Sequence, residues 1–213
     1  MKGKYIVFDL DDTLIQEVHY LKSAYKEISR HVNETASPSL YQQMISWYEQ
    51  GENVFQKIIE QYPQYAIEDL LSRYRQHFPS LQLNDGALDL LEYCQRKSYR
   101  LGLVTDGRSL TQRNKLKAVD IESFFDKIIV SEEFGSTKPD LKNFQAFMGR
   151  DDFDYYYIAN DTKKDFIAPN QLKWISICLL DQVEDIHQQD FDLGEEKLPH
   201  YCVNNLREVI DLL

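Results

Sequence analysis

Four apolar or aromatic positions, Tyr5 to Phe8, run unbroken into Asp9 near the start of the chain. An apolar run this short, closed by polar residues, predicts a buried strand and a turn over the first 15 residues. The period then changes. Val18, Leu21, Tyr25, Ile28 and Val32 recur at three- and four-residue steps, the stripe of an amphipathic helix. Ser37-Pro38 breaks the stripe, and further clusters keep helical spacing: Leu40, Met44 and Trp47, then Val54, Phe55, Ile58 and Ile59, then Leu70, Leu71, Tyr74 and Phe78. No run from residue 16 to about 80 resembles a strand, so this block is expected to hold roughly three to five helices.

Beyond residue 81 short apolar runs return between helical stretches. Ala87, Leu88, Leu91 and Cys94 predict a helix, and residues 99–105 (YRLGLVT) a buried strand. A helix over 109–118, a strand over 126–131, a helix over 139–149 and a strand over 154–160 follow. A short helix over 162–168 is expected to stop before Pro169, because proline biases the preceding residue away from helix. Residues 173–180 predict another strand, and 201–203 a short last one before a terminal helix. Residues 181–200 are polar and irregular and read as a surface loop with some helix. Strands alternating with single helices specify an α/β fold with a parallel, doubly wound sheet. The expected organisation is an α/β core from residues 1–15 and 82–213, with an all-helical domain, residues 16–81, inserted after the first strand.

Composition narrows the partners. The 213 residues suffice for one core with a modest insert. With 24 basic against 35 acidic residues the net charge is −11, which disfavours nucleic acid, since that affinity comes mainly from clustered Lys and Arg. The same charge repels anionic substrates at long range, so a phosphate site would need a metal or a few placed cations. The three cysteines, Cys94, Cys178 and Cys202, are widely spaced in apolar runs and read as buried reduced thiols. The N-terminal apolar run is too short for a signal sequence, and no run approaches membrane-spanning length. A cytoplasmic monomer or homodimer with no membrane or nucleic-acid partner is the expectation.

The chemistry gathers at the strand ends, where open parallel sheets bind ligands. The first strand ends in Asp9, then Asp11, Asp12 and Thr13. The second ends in Thr105, then Asp106, Gly107 and Arg108. The third leads through SEEFGSTK to Lys138-Pro139, and the fourth ends in Asn160-Asp161, with Asp165 one helical turn later. All four should open on the same edge.

This series resembles the haloacid dehalogenase (HAD) superfamily of phosphohydrolases, subfamily I with a helical C1 cap. Asp9-Leu10-Asp11-Asp12-Thr13 matches the family's D-x-D-x-T, Thr105 its strand-terminal Thr or Ser, Lys138 its lysine, and Asp161 with Asp165 its acidic pair. The insert falls where the family carries its C1 cap, and Asn160 stands where Gly is common. The resemblance implies a Rossmann-like core and a Mg²⁺-dependent phosphatase that forms an aspartyl-phosphate intermediate. Asp9 would be the nucleophile. Asp11 would protonate the leaving alcohol and then deprotonate the attacking water. Thr105 would offer its hydroxyl, and Lys138 its charge, to the transferring phosphoryl group. Mg²⁺ would take Asp9, Asp161 and the backbone carbonyl of Asp11 as ligands, with Asp165 behind them. Asp106 and Gly107 continue the second motif as candidate substrate contacts.

Plainer readings stand beside these. Thr105 alone would be a helix cap, and Asp165 a first-turn helix acid. Arg108 either reaches a substrate phosphate or carboxylate or faces solvent. Asp12 shapes the turn, and Thr13 supports it by hydrogen bonding. Lys163 and Lys164 read as solvated, and the aromatic residues of the insert as core. The expected substrate is a sugar phosphate or nucleoside monophosphate. The alternatives are a phosphomutase of the same superfamily and a non-catalytic binding protein on this fold. A haloacid dehalogenase is disfavoured because it has no need of an acid at Asp11.

Overall fold

The computed structural model describes residues 2–149, 153–181, 186 and 188–213. Its six described strands form one parallel sheet: β1 (Gly3–Phe8), β2 (Arg100–Thr105), β3 (Lys127–Val130), β4 (Phe153–Ala159), β5 (Ile175–Leu179) and β6 (Tyr201–Val203). The spatial order is β3-β2-β1-β4-β5-β6, so the chain winds outward from β1 in both directions. This is the doubly wound, Rossmann-like arrangement. β1 lies between β2 and β4, with Phe8 level with Leu103 on one side and Ile158 on the other.

Alternation along the strands builds two cores. Ile6, Phe8, Leu101, Leu103, Tyr156, Ile158, Ile177 and Leu179 face one layer. Tyr5, Val7, Val104, Tyr157, Ala159 and Cys178 face the other. Successive side chains of a strand point to opposite faces, so strands with no polar gap must be covered on both. Helices α5 (Ala87–Arg96) and α6 (Ser109–Ala118) cover the first face through Leu90, Leu91, Cys94 and Leu116. The second face is covered by two five-residue helices, α8 (Leu141–Gln145) and α9 (Ile167–Gln171), through Phe144 and Ala168.

Between β1 and β2 stand α1 (Glu17–Val32), α2 (Ser37–Glu49), α3 (Val54–Gln61) and α4 (Ile67–Gln76). They close around an apolar cluster of their own, Leu21, Tyr25, Ile28, Val32, Leu40, Met44, Val54, Ile58 and Leu70. His77, expected nowhere as a site, is buried beside them with Ser23 at 2.7 Å and Glu27 as partners.

Several expectations change in detail. Residues 162–166 are turns, and the helix begins at Ile167 with Pro169 inside its first turn. A proline N–H is not needed there, because the first four amides of a helix have no partner within it. The helix expected over 139–149 is shortened to α8, capped by Asp140, whose Oδ1 accepts from Lys142 N at 2.9 Å. A four-residue helix, α7 (Ser131–Phe134), replaces the loop after β3, and the terminal helix is a 3-10 helix over Leu206–Leu212. Cys94 and Cys178 are buried, and burial pushes the Cys94 thiol up to about 12, but Cys202 on the short edge strand is exposed. The expected loop over 181–200 falls partly on residues outside those described; among the described ones a 3-10 turn spans Glu195–Lys197.

Candidate active site

The parallel register delivers the four motif ends to one edge. Asp9 follows β1 directly and its N–H donates to the carbonyl of Ile158 at 2.9 Å. Thr105 closes β2, level with Val130 of β3. Asn160 and Asp161 follow β4. Asp9, Asp11, Thr105, Lys138 and Asp161 line one pocket of about 120 Å³, together with Glu17, Asp106, Asn160 and Lys164.

Lys138 is the buried hub. Its side chain is 1% exposed, with Nζ 2.7 Å from Asp9 Oδ1 and 2.8 Å from Asp165 Oδ1. It also donates to the Tyr157 hydroxyl at 3.3 Å. Burial alone would lower this ammonium, but Asp165 and Asp9 outweigh burial and hold it well above its ordinary range. Burial pushes Asp9 up to about 7, against the pull of Lys138. Asp165 does not line the pocket: it is fully buried, pairs with Lys138, and its Oδ2 accepts the Asp161 N–H at 3.1 Å.

Asp106 lines the pocket and also accepts the Lys138 N–H at 3.1 Å, setting the backbone that carries the lysine. Gly107 and Arg108 line instead a neighbouring open cavity with Ser131, Glu132 and Ser136. The Arg108 side chain is 61% exposed and pairs with Glu132.

Asp12 has φ +52° and a fully buried side chain. Its Oδ1 accepts the N–H of Glu17, the first residue of α1, at 2.8 Å, and its Oδ2 accepts the N–H of Ile186 at 3.2 Å. It thus caps α1, whose own N-cap residue, Gln16, makes no side-chain bond. Asp12→Ala should cost about 1–3 kcal/mol, since two partly buried N–H groups lose their acceptor and alanine resists a left-handed backbone. Asp12→Gly should cost about 1 kcal/mol less because glycine takes positive φ freely. Urea unfolding of the two variants reads the difference. Thr13 departs from expectation: its buried hydroxyl has no partner among the described residues, and its backbone carbonyl takes the load, accepting from Asn84 Nδ2 at 2.8 Å.

Two groups outside the expected site line the pocket: Lys164, which the sequence read as solvated, and Glu17. Lys164 is no bystander: its Nζ lies 3.7 Å from Asp161 Oδ2 and 3.8 Å from Asp106 Oδ2. The three-residue step from Asp161 was the available signal. Glu17, pushed up to about 7 chiefly by Asp11 and then by burial, had no signal beyond its place at the start of the first helix.

Five acids and two lysines line the pocket, a surplus of negative oxygen that suits a hard cation. Among the described residues no three His, Cys, Asp or Glu side chains are arranged to hold a metal by themselves. Hard carboxylate oxygens of this kind are compatible with Mg²⁺, which takes one or two carboxylates and fills its shell with water and phosphate.

Residues 6–173 match the family model of haloacid dehalogenase-like hydrolases, and the chain belongs to that family. It is 27% identical to the glyceraldehyde 3-phosphate phosphatase of Methanocaldococcus jannaschii over 99% of this chain and 96% of that protein. It is 28% identical to the pyrimidine 5′-nucleotidase YjjG of Escherichia coli, over 60% of this chain and 55% of the other. Among solved structures, the magnesium-bound HAD-hydrolase YfnB of Bacillus subtilis matches with a TM-score of 0.68 at 20% identity, covering 100% of this chain and 99% of that one. That last likeness is one of fold. No helix among the described residues is long and apolar enough to cross a membrane.

Proposed function

We propose that the chain is a Mg²⁺-dependent phosphatase that hydrolyses a small-molecule phosphate monoester, a sugar phosphate or nucleoside monophosphate, through an aspartyl-phosphate on Asp9. The observation that carries this reading is the convergence of Asp9, Asp11, Thr105, Lys138 and Asp161 on one pocket at the sheet edge. Phosphate esters resist attack because their oxygens repel nucleophiles, so the work is positioning and charge neutralisation.

An Asp9 oxygen attacks phosphorus as the ester P–O bond breaks. Asp11 gives its proton to the departing alkoxide, then takes one from the water that attacks phosphorus and releases Asp9. Lys138, 2.7 Å from Asp9, holds the nucleophile in place and faces the phosphoryl charge with the Thr105 hydroxyl. Mg²⁺ bound by Asp9, Asp161 and the Asp11 carbonyl would supply positive charge to the phosphoryl oxygens. Asp165 stands behind this set through Lys138 and the Asp161 amide. The helical block of residues 16–81 is read as a cap over the pocket, which favours small substrates over phosphoproteins.

The relatives named for glyceraldehyde 3-phosphate put that ester first in a screen, ahead of other sugar phosphates and nucleoside monophosphates. Phosphate release is measured with Mg²⁺ and with EDTA, and without a bisphosphate activator, which separates hydrolysis from mutase chemistry. At least one ester should turn over with Mg²⁺, and chelation should slow it by at least about 100-fold. No release from any ester, or equal release in EDTA, would count against the reading.

A further inference from the structure

Lys115 stands apart from the surface lysines. It lies on α6, and its side chain is only 2% exposed. A buried ammonium is costly unless it is paired. Its Nζ is 2.6 Å from Asp11 Oδ1 and 3.9 Å from Glu17 Oε1, and it sits 4.8 Å from the centre of the Tyr20 ring.

One turn earlier on the same helix Gln112, 3% exposed, donates through Nε2 to Asp11 Oδ2 at 3.0 Å. The same nitrogen donates to the Asp106 carbonyl at 2.7 Å. Two side chains three residues apart on one helix face thus hold both oxygens of one carboxylate.

Charge balance explains only half of this. Lys115 offsets a negative pocket, but a neutral amide adds no charge and contributes direction alone. The backbone around it makes room for that amide. Gly107 has φ +141°, and a Cβ there would come within 2.6 Å of Gln112 Nε2. A side chain at 107 would push Gln112 off Asp11.

We infer that Lys115 and Gln112 are positioning residues for Asp11, fixing the direction in which its carboxyl faces the departing group. This rests on the phosphatase reading above and extends it to two residues outside the four motifs. A clamp on the acid matters where the leaving oxygen needs a proton. An alkoxide does; p-nitrophenolate leaves without one.

The test therefore compares an alkyl ester, the best found in the substrate screen, with p-nitrophenyl phosphate. Wild type, Lys115→Met, Lys115→Arg and Gln112→Leu are assayed on both. Lys115→Met should lower kcat on the alkyl ester by about 100-fold and on the aryl ester by less than about threefold. Gln112→Leu should show the same split at about tenfold on the alkyl ester, and Lys115→Arg should recover most of the loss. If Lys115→Met does not fold, the Gln112→Leu rates decide the question by the same criterion. Equal losses on the two esters, or no loss on the alkyl ester, overturn the inference while leaving the phosphatase reading intact. A wild-type chain inactive on every ester overturns that reading, and the inference falls with it.

Discussion

Asp9→Asn should reduce phosphate release by at least about 10⁴-fold with no comparable loss of stability. The amide has the carboxylate's shape but neither its charge nor its nucleophilic oxygen, so no aspartyl-phosphate can form. The fold should tolerate the change. Lys138 keeps Asp165 at 2.8 Å and the Tyr157 hydroxyl at 3.3 Å. Burial also works against the Asp9 charge, pushing the carboxyl up to about 7, so the folded state loses no strongly favoured ion. Steady-state kinetics on the best ester, paired with thermal unfolding, reads both halves. A variant within about 100-fold of the wild-type rate would remove Asp9 from the nucleophile's role.

Lys138→Met has the opposite profile and should damage both activity and stability. Its ammonium is the partner of two carboxylates, Asp9 and Asp165, whose side chains are 8% and 0% exposed. Taking the cation away leaves two buried acids facing each other, and breaking a buried pair in this way costs about 3–5 kcal/mol. The loss should be greatest where both acids would otherwise be ionised. Adding Asp165→Asn to Lys138→Met should return part of the stability and none of the activity, because one stranded charge is gone but the phosphoryl group still lacks its cation. Denaturant titration of the single and double variants measures the coupling. A cost below about 1 kcal/mol for Lys138→Met would mean that water or a rearranged loop replaces the lysine.

The strand ends were legible because each is a local event. An apolar run stops, a polar residue follows, and parallel pairing does the rest. Asp9, Thr105 and Asp161 could be found this way, and Lys138 by its place in the series. Lys115 and Gln112 could not. They meet Asp11 across more than a hundred residues of sequence, on a helix whose pattern is ordinary, and nothing near them in the chain marks the contact. Lys164 was misread for a related reason, since a lysine beside another lysine looks solvated until the turn after β4 places it over Asp161. The helix expected before Pro169 failed because a proline in the first turn of a helix is tolerated, so Ala168 and Pro169 both lie inside α9. Phe166 and Ala168 are buried in the core on that face of the sheet, on either side of the residue where the helix begins.

The Asp12 carboxylate has one more consequence. One of its oxygens grips the first amide of α1 and the other the amide of Ile186, while its own backbone forms the floor of the turn that bears Asp9 and Asp11. The start of the helical block is therefore tied by a side chain of the same turn that carries Asp9 and Asp11. Asp12 is close in sequence to Asp9, so a change at the start of α1 would be felt near the proposed nucleophile. A substitution that loosens this tie would therefore disturb the turn carrying Asp9 and Asp11 together with the start of α1, so the two are not separable by mutation at Asp12.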